Sequence, residues 1–500
     1  MSGKPSFRNS VKWAYSASWG EKTFSAIFTF VLAGILGPRD FGIVSIALIY
    51  IAFLQLFLDQ GLAAALIQKK HLDQEHLDAV FWMDLVLSFG LVLVSIVFSR
   101  KWAGMNHAPE VAHVISVLSG CIPIEAMALI QSTLLRREMD FRSISIRTNA
   151  SVLVGGLVGI VMAFAGFRVW ALVGQQIVRD LTALVLLWKL SPWRPRFEFS
   201  WKHLKDLMGF SIPNFASQLG VFAGAQADSL VLGLIFGPVA VGLYRVADRV
   251  VNSIVTMATS SVQAVSLPEF SKLQDQPEAL RKSALICVWL SSTLTLPILS
   301  GVAAVSWALM ATLGSKWIPA VNALKLLCLV GIASVFSSFT GPLLQALYRP
   351  HQHAMLEWAR VVAGTLLLIG AGLLVRNNPV GWQILGIALA RLALTACLVM
   401  PIFLFILMRL TGISFGNLAS AVMPSALASV GVVGSVTLFQ VSGLLVDGKP
   451  VVLLIAETII GGATGLVVLL AFDSQLRRLA LSLKQSAFRS LALSREVSEG

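Results

Sequence analysis

Fourteen apolar stretches, running from residues 13–36 to residues 449–472 and separated by short polar connections, make up most of this 500-residue chain. Crossing ~30 Å of hydrocarbon takes about 20 helical residues, and each stretch is long enough. Backbone N–H and C=O groups find no water inside a bilayer, so single spans of this length must be helices. Only 13% of the residues are charged and 56% are hydrophobic, with a mean hydropathy of +0.81. An average soluble protein is roughly 25% charged. The chain is therefore expected to be an all-α polytopic membrane protein with about fourteen transmembrane helices.

One segment occurs twice. Residues 31–50 (VLAGILGPRDFGIVSIALIY) and 231–250 (VLGLIFGPVAVGLYRVADRV) align without a gap at an offset of 200, with seven of twenty positions identical. Each copy is an apolar helix end, a Gly-Pro break (Gly37-Pro38, Gly237-Pro238), a glycine four residues after the proline (Gly42, Gly242) and a second apolar helix. That pattern reads as a tight helical hairpin inside a duplicated unit. Six crossings separate the copies. Six is even, so two six-helix lobes are expected, related by a pseudo-two-fold axis along the membrane normal, with two helices added at the C-terminus. The boundaries expected are 1–206 for the first lobe with its basic joint, 207–412 for the second lobe, 413–472 for helices thirteen and fourteen, and 473–500 for a cytoplasmic tail.

Lys and Arg set the orientation. With a cytoplasmic N-terminus the inside segments carry 25 of them and the outside segments seven: Arg39, Arg100, Lys101, Arg168, Lys316, Arg376 and Lys449. Basic residues accumulate on the cytoplasmic side, so both termini are expected there. The same bias accounts for the net charge of +13 and for contact with anionic membrane lipid. Nucleic-acid binding would need a soluble basic domain, and none is expected. The start MSGKPSFRNSVK leads straight into a span with no small-residue cleavage site, so the first helix is expected to act as its own insertion signal. Cys121, Cys287, Cys328 and Cys397 lie in apolar helices without metal-type spacing and read as small core residues rather than disulfides.

Charges inside the spans mark where function is expected. Six cations lie within helices: Lys22, Arg179, Arg245, Arg249, Lys325 and Arg391. Asp59, Glu125 and Asp228 are the notable acids. A charge at mid-membrane costs ~2.5–3.5 kcal/mol on insertion scales, so such residues should face a cavity or each other. At 3.6 residues per turn Arg245, Asp248, Arg249 and Asn252 share one face of helix eight. Their counterparts in the first copy are Ser45, Leu48, Ile49 and Ala52, so the charge is an addition to one half of a shared scaffold. Between the halves, SPWRPRFEFSWKHLKDL places Trp193, Phe197, Phe199 and Trp201 among basic residues, as a segment at the headgroup level would.

The hairpin LGPRDFGIVSIA, the LLRREMDFRSIS loop, the PWRPRFEFS segment and the second hairpin IFGPVAVGLYRVADRV together resemble the bacterial polysaccharide transporters, the Wzx-type oligosaccharide flippases, and most of all their colanic-acid subgroup. The resemblance covers about residues 5–410. It implies a two-lobed exporter of the multidrug/oligosaccharidyl-lipid/polysaccharide superfamily that moves undecaprenyl-diphosphate-linked oligosaccharide from the cytoplasmic to the periplasmic leaflet of the inner membrane. Implied partners are the lipid-linked oligosaccharide and membrane lipids, with polysaccharide polymerase and chain-length machinery beyond them. These motifs are scaffold signatures and transfer no catalytic residues.

A lipid-linked diphosphate gives the six intramembrane cations a role, because a buried anion needs positive charge and donors, and the planar fork of Arg suits phosphate. The competing reading pairs them with Glu21, Asp180, Asp228 and Asp248. Asp59, Glu125 and Asp228 are the candidates for binding a coupling ion. A cation-coupled drug or metabolite antiporter of the same superfamily is the alternative transporter, and would depend on those acids rather than on the bases. A membrane glycosyltransferase, polymerase or ligase is the enzyme alternative. Such enzymes use a large extramembrane domain or loop, and the longest outside segment here is about eleven residues. No phosphate-cradling glycine loop, metal cluster or nucleotide site is present in the sequence, His351 and His353 fall in a polar connection, and no cofactor or enzymatic activity is expected.

Overall fold

The computed structural model describes residues 7–59, 62–69, 72–443 and 449–478, and these are helical almost throughout, with no strand among them. Fourteen long helical elements follow in order, besides the short helices Leu62–Gln68 and Ser306–Leu313: α1 Phe7–Ile35, α2 Pro38–Asp59, α3 Gln74–Met105, α4 Glu110–Arg137, α5 Phe141–Phe164, α6 Val169–Leu190 and α7 Trp201–Phe236, then α8 Pro238–Lys272, α9 Pro277–Ala304, α10 Ser315–Ala346, α11 Pro350–Leu374, α12 Val380–Thr411, α13 Phe415–Val441 and α14 Pro450–Phe472. Among the described residues, α2 to α14 each hold a stretch long and apolar enough to cross a membrane. In α1 the charged and polar residues Glu21, Lys22, Thr23 and Ser25 call for protein rather than lipid beside them.

Both proline breaks end up as predicted. Pro38 and Pro238 open α2 and α8, positions where a missing N–H costs nothing, and Gly237 adopts φ +84°, which its lack of a Cβ permits. The basic segment LLRREMDFRSIS after α4 is helical except at residues 138–140. Asp140 caps α5 by accepting a 3.1 Å bond from the Ser143 N–H, so only residues 138–140 separate the two helices and Arg142 and Arg147 ride on α5.

The chain forms two compact units. One comprises the chain up to Ser253 with Leu313–Leu327 and Pro350–Leu394, and the other comprises Ile254–Thr312, Cys328–Arg349 and the chain from Thr395 onward. Inside the first, the two repeat copies meet reciprocally. Gly42 lies against the Pro238 carbonyl and Gly242 against the Pro38 carbonyl. The flanking elements repeat the exchange: Trp317 donates 2.9 Å to the carbonyl of Ala33, and Asn106 packs on Gly233, the same repeat position one copy later. Reciprocity of this kind is the mark of a local two-fold relation.

The joint at residues 191–200 is extended and clamped to the start of α3. Trp82 Nε1 donates 2.7 Å to the Arg196 carbonyl, the Arg196 N–H donates 3.0 Å to Asp78 Oδ1, and Phe197 stacks on Trp82. Trp193 is buried beside Phe81, while Phe197, Phe199 and Trp201 are exposed, as residues meeting lipid headgroups would be. In the second unit Phe270, Val288, Phe339, Leu343 and Leu407 form a fully buried apolar core. Cys121, Cys287 and Cys328 are buried and Cys397 is exposed, all four as free thiols.

Candidate functional site

Glycines bring the polar faces of α1, α5 and α6 together in the first unit. A Cβ on Gly156 would stand 2.3 Å from the Phe28 ring of α1, and one on Gly155 would stand 2.7 Å from the Gln175 carbonyl of α6. Small residues permit this approach, and in lipid close packing is what holds helices together. Beside this seam lies a cavity of about 270 Å³ lined by Glu21 of α1, Glu125 of α4, Arg147 of α5, and Arg179 and Asp180 of α6. Arg179 Nε stands 3.6 Å from Asp180 Oδ1, and Gln176 donates to both oxygens of Asp180 at 3.1 and 2.9 Å. The buried Nε of Arg147 has no hydrogen-bond partner. Three carboxylates and two guanidinium groups around one cavity leave an acid in excess, a composition suited to holding a proton or a cation.

A second cluster joins α7, α8 and α12. Arg391 donates to Asp228 Oδ2 at 2.5 Å, to Asp248 Oδ1 at 2.8 Å and to the Tyr244 hydroxyl at 3.2 Å. Tyr244 in turn donates 2.9 Å to Asp228, and Asn252 donates 2.7 Å to Asp248. One cation thus holds two carboxylates, each of which also accepts from a neutral neighbour, which is how an ion pair is kept in low dielectric. Just beyond Arg391, α12 passes through a π turn at Leu394–Val399.

The other two arginines of α8 take neutral partners. Arg245 donates 3.1 Å to the amide oxygen of Gln226, and Arg249 donates 2.5 Å to the Ser25 hydroxyl of α1. Among the described residues Arg249 has no ion pair, and its side chain is exposed. Lys22 lies one turn before Ser25 on α1 and so shares its face.

The residues singled out from sequence therefore divide. Arg179 and Glu125 share the cavity, Arg391 and Asp228 are bonded to each other, and Arg249 meets the face of α1 that carries Lys22. Lys325 is exposed and lines neither the cavity nor the Arg391 cluster. The side chain of Asp59 lies outside the described residues, as does the tail from residue 479. Two contributors escaped the sequence reading. Arg147 is not among the candidates there, although the Asp140-x-x-Ser143 cap signal starts the helix early enough to carry it inward. Tyr244 stands four residues before Asp248, on the same face.

Residues 31–322, more than half of the chain, match the family described as Polysaccharide biosynthesis protein. The chain is 29% identical over 360 residues to the succinoglycan biosynthesis transport protein ExoT of Rhizobium meliloti (strain 1021), covering 71% of this chain and 72% of that one. It is 28% identical over 325 residues to the teichuronic acid biosynthesis protein TuaB of Bacillus subtilis (strain 168), covering 64% and 66%. Among solved structures, the lipid II flippase MurJ in an inward closed conformation superposes with a TM-score of 0.71 over 92% of this chain and 98% of that one, at 14% identity, which shows a common fold. By its fourteen-helix fold, its repeated hairpin and this match, the chain is a multi-pass membrane protein of the polysaccharide biosynthesis protein family.

Proposed function

We propose that this protein carries lipid-linked oligosaccharide, anchored on undecaprenyl diphosphate, from the cytoplasmic to the periplasmic leaflet of a bacterial inner membrane. The observation that carries the reading is Arg249, an intramembrane guanidinium held among the described residues by a serine hydroxyl and no carboxylate, while its neighbour Asp248 is committed to Arg391. A diphosphate is the partner such a group lacks, and a charge-assisted fork to phosphate is stronger than a bond to a neutral hydroxyl. Arg249, Lys22 and Arg245 form the proposed diphosphate contact, with the lipid tail left in the bilayer and the glycan crossing between the lobes 1–206 and 207–412. Arg391 supports that face from behind by fixing α8. Transport named for relatives and the fold of a lipid II flippase point the same way.

Alternating access then follows from rocking of the lobes about the 191–206 joint, both termini being cytoplasmic. The cavity at Glu125 is the proposed coupling site, since its excess acid can exchange a proton or cation as the lobes move. Asp228 is less suited, because its Oδ2 already serves both Arg391 and Tyr244. The colanic-acid subgroup and partnership with polymerase and chain-length machinery belong to the same proposal. A deletion strain tests it: lipid-linked repeat units should accumulate on the cytoplasmic face of the inner membrane and clear on complementation. Normal export of every surface glycan in that strain, or loss of drug efflux in place of glycan export, would withdraw the reading in favour of the antiporter.

A further inference from the structure

The second unit holds a cavity that the transport reading leaves unused. Arg281 and Lys282 of α9, Asn417 and Ser420 of α13, and Gln475 and Arg478 just beyond α14 surround about 890 Å³. That volume lies within the ~300–1,000 Å³ range of pockets that hold drug-sized molecules. Leu285, Ile286, Trp289 and Ala421 supply an apolar wall. Three helix ends meet here: the beginnings of α9 and α13, with the positive ends of their dipoles, and the exit of α14. Because these ends fall on one side of a membrane chain, the cavity opens where lipid headgroups lie.

Its charge is one-sided. Among the described residues none of Arg281, Lys282 and Arg478 is in an ion pair. One nearby carboxylate, Asp473, is already committed. It accepts 2.8 Å from the buried Trp289 indole and 2.9 Å each from the N–H groups of Gln475 and Leu476. Those bonds hold the turn that presents Gln475 and Arg478, so Asp473 positions the site, and among the described residues it forms no ion pair with the lining cations. Three cations without an ion pair among the described residues, with amide and hydroxyl donors over an apolar wall, fit an anionic headgroup whose acyl chains run along Leu285 and Ile286.

We infer that this cavity binds a phosphate group, presented by an anionic phospholipid headgroup or taken up as free phosphate. The inference does not depend on what the protein transports. The purified full-length protein in neutral detergent would be titrated with dioctanoyl phosphatidylglycerol, with dioctanoyl phosphatidylcholine and with inorganic phosphate, reading bound adducts by native mass spectrometry. Phosphatidylglycerol should bind at least about tenfold more tightly than phosphatidylcholine, and Arg281→Gln with Arg478→Gln should lower its affinity by about tenfold or more, the scale of a lost charge-assisted bond. The exposed Arg376→Gln should leave it unchanged. Inorganic phosphate displacing the lipid at equal concentration assigns the site to free phosphate; failure to displace assigns it to the headgroup. Arg478→Gln alone lies outside the spanning helices and serves if the double variant does not fold. Phosphatidylglycerol and phosphate both binding the Arg478 variant as they bind the parent protein would overturn the site.

Discussion

Gly42 of α2 sits so close to Pro238 of α8 that a Cβ on the glycine would lie 1.7 Å from the proline's carbonyl oxygen. The mirror contact, Gly242 against the Pro38 carbonyl, leaves 1.8 Å. The glycines repeated in sequence are thus repeated because each is the other copy's contact point. Gly42→Ala and Gly242→Ala should each destabilise the protein by more than the ~1–3 kcal/mol of ordinary overpacking, since backbone rather than a side chain must move. Gly34→Ala, in the same repeat but with open space around it, should be neutral or slightly stabilising. Thermal unfolding of the detergent-purified variants reads the difference, and equal melting temperatures for Gly34→Ala and Gly42→Ala would sink the explanation.

Arg391 and Arg249 should behave oppositely when removed. Arg391→Met leaves Asp228 and Asp248 without their cation, a loss of about 3–5 kcal/mol for a broken buried pair, and adding Asp228→Asn and Asp248→Asn should restore much of it. Arg249→Ala loses only a hydroxyl bond, so protein level should be normal while polymer export stops. Full export by Arg249→Ala at native expression would show that the diphosphate assignment is wrong.

Glu125→Gln removes an acid from the cavity and should alter how export depends on the ion gradient without changing protein abundance. The measurement is export in cells, or flipping in proteoliposomes, with and without an imposed proton or sodium gradient. Identical gradient dependence in parent and variant would move the coupling group elsewhere, with Asp59→Asn the next substitution to try.

Topology is checked by single cysteines at exposed positions. Lys101, Lys316 and Asn377 replaced by Cys should react with a membrane-impermeant maleimide from the periplasm, and Glu138 and Lys202 replaced by Cys should not. Periplasmic labelling at residue 202 would end the parallel-repeat scheme. Asn106, although in an outside connection, is 1% exposed against Gly233 and would be a silent reporter.

The sequence by itself determined the helix count, the duplication and the family, because these rest on local quantities. An apolar run of spanning length has one allowed backbone in lipid, and a Gly-Pro break ends a helix wherever it falls. It also located the charges within the spans, since a charge in hydrocarbon is costly regardless of its neighbours. What it left open was which charges neutralise each other. Asp228 and Arg391 lie 163 residues apart, Ser25 and Arg249 lie 224 apart, and no pattern along the chain joins them. Only the packing of α7, α8 and α12 commits Asp228 and Asp248 to Arg391, and only the approach of α1 to α8 gives Arg249 a hydroxyl in place of a carboxylate. The six cations look equivalent in sequence because pairing is a property of distance. A Coulomb term falls with separation in space and is blind to separation in sequence, so the division of these residues into pairs and unpaired charges was decided by the tertiary structure.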